Sequence, residues 1–174
     1  MKIGNRVLQI LMASSFCLAS MQSVGAGTSM PSNVNTLKAR YYFLEGSIKA
    51  SEQKMDEAYE YFKKAYETDP SYNDAGFTYG NQRMFLRSDT LQSEKELLKS
   101  LGMMQKYVDA NPKDLYSAQM YGYVSTALDT VEESIRVYET TYGLLPAETQ
   151  LLQLLADSYM RLNRGKDAVE ALEK

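Results

Sequence analysis

The sequence has no histidine and no tryptophan, and Cys17 is its single cysteine. Without histidine a Ser-His catalytic relay cannot form, and no His/Cys cluster is available to bind zinc. No glycine-rich phosphate loop follows a strand. The acid pairs Asp56-Glu57 and Glu132-Glu133 are explained as first-turn residues of helices, where negative charge meets the positive end of the helix dipole. We therefore expect no enzymatic activity, no cofactor and no metal site.

Basic charge and long apolar runs are also scarce. Lys and Arg number 19 against 22 Asp and Glu, and without a basic footprint no nucleic-acid binding is expected. The longest apolar run, residues 7–19, is shorter than the roughly 20 residues that span a bilayer. Lys2 and Arg6 precede it, and Val24-Gly25-Ala26 supplies small residues before a cleavage point. This layout predicts a secretory signal peptide over residues 1–26, with an uncleaved anchor as the alternative.

Export has consequences for the rest of the chain. Cys17 lies within the signal peptide, so the mature protein has no disulfide and depends on packing for its stability. We expect an exported, periplasmic or envelope-associated protein without stable membrane insertion after cleavage. Residues 27–38 are predicted to form a flexible leader, since the first of them are small and polar without an apolar face. The chain is helical in pattern beyond them.

Three of the four prolines close segments of similar design. Each has a small residue, a bulkier one and a third residue at 12, 8 and 5 positions upstream. These sets are Ala58, Phe62 and Ala65 before Pro70; Ser100, Met104 and Tyr107 before Pro112; and Ser134, Tyr138 and Thr141 before Pro146. A period near 34 residues indicates an array of similar helix pairs.

The pattern resembles the tetratricopeptide repeat, of the type found in exported bacterial proteins. Four repeats are assigned, at residues 39–72, 73–114, 115–148 and 149–174, the last of them cut short. The first repeat departs from the family pattern at Glu45 and Lys49. The resemblance implies an all-α fold, a right-handed superhelical array of antiparallel helix pairs (an α-solenoid).

Small residues are predicted to face each other where the two helices of each repeat cross. The pairs are Gly46–Ala58, Gly80–Ser100, Gly122–Ser134 and Ala156–Ala168. Small side chains at a crossing permit the close end of the usual 8–10 Å helix separation. The second repeat has about eight extra residues between Arg87 and Ser100. We predict that they extend its second helix by about two turns at the N-terminus, with a longer loop as the alternative.

The resemblance also implies a partner-binding groove, because the family lines its concave face with one side of each first helix. Tyrosine beside amide side chains suits an extended peptide or a partner helix. The alternative is that these residues form ordinary solvent-exposed surface without a binding role, because tyrosine is common throughout this chain. The predicted groove residues are Arg40, Phe43, Asp74, Phe77, Asn81, Tyr116, Gln119, Tyr123, Gln150 and Gln153.

The function predicted from these patterns is a non-enzymatic scaffold of the bacterial cell envelope that binds a protein or peptide. A second hypothesis is that the repeats are the N-terminal part of a larger exported protein with a sensor, transport or enzymatic module beyond residue 174. Its basis is the absence of a closing helix after Lys174, since open repeat arrays end in a polar cap. Polysaccharide binding is a weaker alternative, because tryptophan is absent.

Overall fold

The computed structural model describes residues 34–86 and 94–174, and every regular element in these ranges is an α-helix. The prediction of an all-α fold is confirmed. The predicted signal peptide lies outside the described residues. The helices are α1 (Val34–Ser51), α2 (Met55–Thr68), α3 (Asn73–Leu86), α4 (Glu94–Ala110), α5 (Leu115–Ala127), α6 (Val131–Leu144), α7 (Gln150–Arg161) and α8 (Gly165–Leu172).

The helices fall into two compact units, α1–α3 and α4–α8. Within each unit every helix packs against the next one along the chain. Connections of three to five residues make consecutive helices antiparallel, as in helical hairpins. Three of the four predicted repeats are complete helix pairs inside one unit. The second repeat is divided, with α3 in the first unit and α4 in the second.

The turn inside each complete repeat has one conformation. Its middle residue has a positive φ, 62° at Gln53, 63° at Asp129 and 58° at Asn163. The backbone N–H of the next residue donates to the carbonyl five residues earlier, at 2.9 Å in all three turns. This is the hydrogen bond of a Schellman motif, which satisfies a free carbonyl at the helix end. The repeats therefore share the backbone geometry of their turns as well as their sequence pattern.

The prolines occupy a second repeated turn, between one helix pair and the next. The carbonyl of the residue before Pro70, Pro112 and Pro146 accepts a hydrogen bond from the N–H three residues later. Proline at the second position of such a β-turn fixes the required φ and lacks a donor to continue a helix. The prediction that these prolines follow helix ends is confirmed, because α2, α4 and α6 each end two residues before Pro70, Pro112 and Pro146.

Glycine lets an aromatic ring rest on the first helix at two of the crossings. A Cβ added at Gly46 would lie 2.8 Å from Phe62, and one added at Gly122 would lie 2.4 Å from Tyr138. The predicted Gly122–Ser134 contact is direct, because the Ser134 hydroxyl donates to the Gly122 carbonyl at 2.7 Å. The two helices of each of these repeats can therefore approach closely because Gly46 and Gly122 have no side chain.

The last helices enclose a continuous apolar core. It includes Tyr138 from α6, Leu151 and Leu155 from α7, and Ala168 and Ala171 from α8. Leu151 is completely buried. This core is built from the side of α7 opposite to the exposed residues described below, so burial fixes which face of α7 remains available.

One expectation needs correction, and another stays open. Helix α1 begins at Val34, so residues 34–38 are helical and not part of a flexible leader. The Thr36 hydroxyl donates to the Asp69 carboxylate at 2.6 Å, which ties this first turn to the end of α2. Helix α4 begins six residues before Ser100, whereas α2 and α6 begin three residues before Ala58 and Ser134. Because residues 87–93 lie outside the described ranges, the prediction that the extra residues extend this helix by about two turns stays a prediction.

Candidate functional site

The predicted groove residues lie on the first helices of the repeats and form one set in each unit. Arg40 and Phe43 are on α1, and Asp74, Phe77 and Asn81 are on α3. In the second unit, α5 carries Tyr116, Gln119 and Tyr123, and α7 carries Gln150 and Gln153. The two sets are described separately below.

In the first unit three of the predicted site residues, Arg40, Phe43 and Asp74, lie beside Tyr72, which the sequence prediction missed. The rings of Phe43 and Tyr72 meet edge to face, with centroids 5.5 Å apart, and the Phe43 ring also lies 5.3 Å from Phe62. The Arg40 guanidinium lies over the Tyr72 ring at 5.8 Å, within range of a cation–π interaction. Tyr72 thus joins the side chains that α1 contributes to this surface.

The electrostatics of this cluster follow from partial burial. Desolvation, with a smaller contribution from the Asp74 carboxylate, raises the pKa of Tyr72 to about 12. Desolvation also raises the pKa of the Asp74 carboxyl, and the charge of Arg40 opposes the shift in both groups. The cluster therefore offers a bound ligand a neutral phenol, a guanidinium and a carboxylate on the same side of the unit.

Phe77 and Asn81 are less accessible than the groove prediction requires. Phe77 is only 7% exposed, so its ring offers little area to a partner in this conformation. Asn81 is half-buried, and its amide oxygen has no hydrogen-bond donor within the described part of the chain. A buried acceptor without a donor costs about 1–3 kcal/mol. A ligand donor could satisfy this oxygen only after the side chain turns outward.

In the second unit, α5 presents its predicted residues at the spacing expected for one helix face. Tyr116 and Gln119 are half-buried, and Tyr123 is 37% exposed. Tyr121 on the opposite face and Gly122 on an adjoining face are buried against α6. Tyr123 is therefore the most accessible aromatic side chain among the predicted groove residues of this unit.

Helix α7 adds two exposed amides. Gln150 and Gln153 are one turn apart and both exposed, whereas Leu151, Leu152 and Leu155 are buried in the core. Amide side chains have both donors and acceptors and can therefore pair with the backbone of an extended peptide. The arrangement on α5 and α7 combines tyrosine area with amide hydrogen bonding.

Two further features bear on the chemistry of these residues. Within residues 34–86 and 94–174, no group of three or more His, Cys, Asp or Glu side chains is arranged to hold a metal ion. Over the same residues no helix is both long and apolar enough to cross a membrane.

Comparison with known proteins identifies the fold. Residues 39–72 match the family model of the tetratricopeptide repeat. No curated protein is significantly similar in sequence. Solved structures of a MamA mutant and of MamA AMB-1 are each 18% identical over 78% of this chain, with TM-scores of 0.61, covering 70% and 75% of the respective structures. MamA MSR-1 is 17% identical over 81% of this chain and 76% of its own, with a TM-score of 0.59.

At these identities the similarity shows the fold alone. The chain therefore contains a tetratricopeptide repeat at residues 39–72 and has the helical fold of tetratricopeptide-repeat proteins. The resemblance seen in the sequence is confirmed at this level.

Proposed function

We propose that this protein is a non-enzymatic scaffold that binds a protein or an extended peptide through the first-helix faces of its repeats. The observation that carries the proposal is that the two faces of α5 and of α7 differ in burial. One face of each helix is buried in the repeat core, and the other exposes Tyr123, Gln150 and Gln153. Rigid aromatic side chains contribute contact area at low entropic cost, and residues of this type dominate binding energies at protein interfaces.

The first unit contributes a second surface of related chemistry. Arg40 can pair with a carboxylate of a ligand, and the rings of Phe43 and Tyr72 provide apolar area beside it. No charge of one sign dominates either surface. A ligand of mixed polar and aromatic character therefore fits better than an acidic peptide tail.

Selection of random displayed peptides on the purified protein tests this proposal. Binding of the recovered peptides is then measured by calorimetry against the wild type and against Tyr123→Ala and Gln153→Ala. We expect each substitution to weaken binding by about 1–2 kcal/mol. Lys166→Ala, at an exposed position on α8, is the matched control and should bind as the wild type does. Peptides that bind all three variants equally would place the binding surface elsewhere.

We further propose that the protein acts in the bacterial cell envelope after removal of residues 1–26. The support is the basic, apolar and small-residue layout of this segment, together with the lack of cysteine in all that follows. Fusion of a reporter enzyme that is active only outside the cytoplasm, followed by sequencing of the mature N-terminus, tests this. Reporter activity with a new terminus at Gly27 is expected. An inactive reporter on an intact chain would contradict export.

A further inference from the structure

The outer face of α1 is apolar along its whole length. Five large side chains on this helix are between 50% and 78% exposed. Single exposed apolar residues are ordinary on protein surfaces, but a continuous row on one helix marks an interaction surface. We call this row the α1 stripe; it consists of Val34, Leu37, Tyr41, Leu44 and Ile48.

The spacing of the α1 stripe is that of a coiled-coil seam. Its members follow one another at alternating steps of three and four residues, the a and d positions of heptads. Over residues 34–48 the stripe is about 21 Å long at 1.5 Å per residue. A partner helix can therefore pack along it by inserting side chains between these five.

The α1 stripe points away from its own repeat. Ala39 and Gly46 are buried on the other side of α1, where the helix packs on α2 and the Phe62 ring rests on Gly46. These two residues are at the f positions of the heptads, directly opposite the a/d seam. Within the part of the chain that the structure describes, the fold of the repeat covers one face of α1 and leaves the α1 stripe exposed.

The charges beside the α1 stripe are self-complementary. Lys38 and Glu45 border the same edge, at successive e positions. When two copies of α1 pair antiparallel, residues at e positions face each other across the seam. Lys38 of each copy then lies opposite Glu45 of the other, so the symmetric pair gains two attractive contacts.

The alternative parallel pairing would need a different cation. In that orientation a g position meets the following e position, so Arg40 would have to reach Glu45 of the second copy. The Arg40 guanidinium, however, lies over the Tyr72 ring within its own unit. Lys38 also lies over a ring of its own helix, that of Tyr42 at 5.9 Å. Its side chain is exposed whereas Arg40 is half-buried, so Lys38 is the more available cation and the antiparallel orientation is favoured.

We propose that a second copy of this chain covers the α1 stripe, with the two α1 helices antiparallel about a two-fold axis. Leu37 faces Ile48 of the second copy, and Tyr41 faces Leu44 of the second copy. The surface is isologous, since the same patch serves both partners. A seam of one helix per copy is a small interface, so we expect a reversible dimer rather than an obligate one. The proposal does not depend on peptide binding by the first-helix faces.

Sedimentation equilibrium over a wide concentration range tests it, on the full chain and on the chain beginning at Gly27. Both should be monomer–dimer systems. Leu44→Lys is expected to raise the dissociation constant about tenfold or more, while Val169→Lys, which places the same charge on the exposed face of α8, should leave it unchanged. If both the full chain and the chain beginning at Gly27 are monomeric at every concentration, the proposal is overturned.

Charge exchange tests the orientation. Lys38→Glu and Glu45→Lys should each weaken the dimer, because each places like charges opposite one another, and the double exchange should restore it. Failure of the double exchange to restore would contradict the antiparallel arrangement. Species larger than dimers that are abolished by Val169→Lys but not by Leu44→Lys would instead show head-to-tail association and overturn the symmetric pairing.

Discussion

The phenol ring of Tyr138 occupies the space in which any side chain at Gly122 would lie, with its Cζ atom 2.4 Å from an ideal Cβ position. Phe62 covers Gly46 in the same way. The fourth repeat has Ala156 at the equivalent position, and there the residue matching Tyr138 is Leu172, which is 59% exposed. Glycine is thus required where an aromatic ring covers the crossing.

Substitution of Gly122 by alanine is expected to destabilise the second unit. The new methyl group must displace the buried Tyr138 ring or move the two helices apart, and overpacking of this kind costs about 1–3 kcal/mol. Denaturation by urea, followed by circular dichroism, measures the loss. Gly102→Ala is the control, because nothing lies within 4 Å of its added Cβ. It should stabilise α4 by about 0.5–1 kcal/mol through helix propensity.

Equal effects of these two alanines would contradict the crossing model. The second helix would then have enough freedom to accept a larger residue, and the small–small crossing would not control the packing of the repeat.

Replacement of Gln53 should stabilise the first unit. Gln53 has φ 62° in the turn between α1 and α2, and this left-handed conformation costs a residue with a side chain about 1–2 kcal/mol. Asp129 and Asn163, which tolerate the conformation better, occupy the equivalent positions in the later repeats. We expect Gln53→Gly to raise the free energy of unfolding by about 1 kcal/mol. Glu52→Gly, at a neighbouring residue without positive φ, should not raise it.

The Asp69 carboxylate should make the first unit sensitive to acid. It accepts hydrogen bonds from the hydroxyls of Ser71 and Thr36 at 2.5 and 2.6 Å, and these bonds, that of Ser71 first, lower its pKa. A lowered pKa means that stability is present above the unfolded-state value near 4 and is lost as the pH falls through the folded-state value. Asp69→Asn should be less stable at neutral pH, by about 1 kcal/mol.

The pH dependence separates this effect from a general loss of packing. Measured by urea denaturation at successive pH values, the difference between the wild type and Asp69→Asn should shrink below about pH 4. A difference that stays constant down to pH 2, on the order of the neutral-pH value, would show that the charge of Asp69 makes no contribution.

Buried tyrosines should set the alkaline limit of stability. Burial raises the pKa of Tyr121 and of Tyr159 to about 12, with Glu133 and Glu139 as nearby acids that add to the shift. Because these values exceed the unfolded-state value near 10, the stabilisation is complete below about pH 10 and is lost as the pH rises through 12. Phenolate absorbance and circular dichroism, recorded together, should show some tyrosines ionising only as helicity falls. Ionisation of all fourteen near pH 10 with full helicity would contradict this.

Phe77 and Tyr123 should respond differently to truncation, although the sequence assigned both to the binding groove. Phe77→Ala removes a buried ring and is expected to cost about 3–5 kcal/mol of stability. Tyr123 is 37% exposed, and Tyr123→Ala should change stability by less than about 1 kcal/mol. Thermal unfolding of the two variants makes the comparison. Similar melting temperatures of the two variants would contradict the assignment of Phe77 to the core.

Sequence periodicity was sufficient to predict the helix pairs. The prolines, the small residues at the crossings and the first-turn acids are local signals, since each acts on the backbone or on a neighbour at a fixed distance along the chain. Pro70 and Pro112 mark the turns, and Gly122 with Ser134 marks a crossing that the structure closes with a hydrogen bond. Such features repeat with the chain and can be read from it.

Tertiary packing decided which of those residues remain accessible. Phe43, Phe77 and Gln119 have the same position in their repeats, yet Phe77 is buried and the other two are half-buried, because exposure depends on what packs against the helix. Tyr72 joined the site through rings that are distant in sequence. The same holds for α1: its sequence contains two faces able to pack, and only the folded repeat shows that Ala39 and Gly46 are covered while the α1 stripe is left exposed.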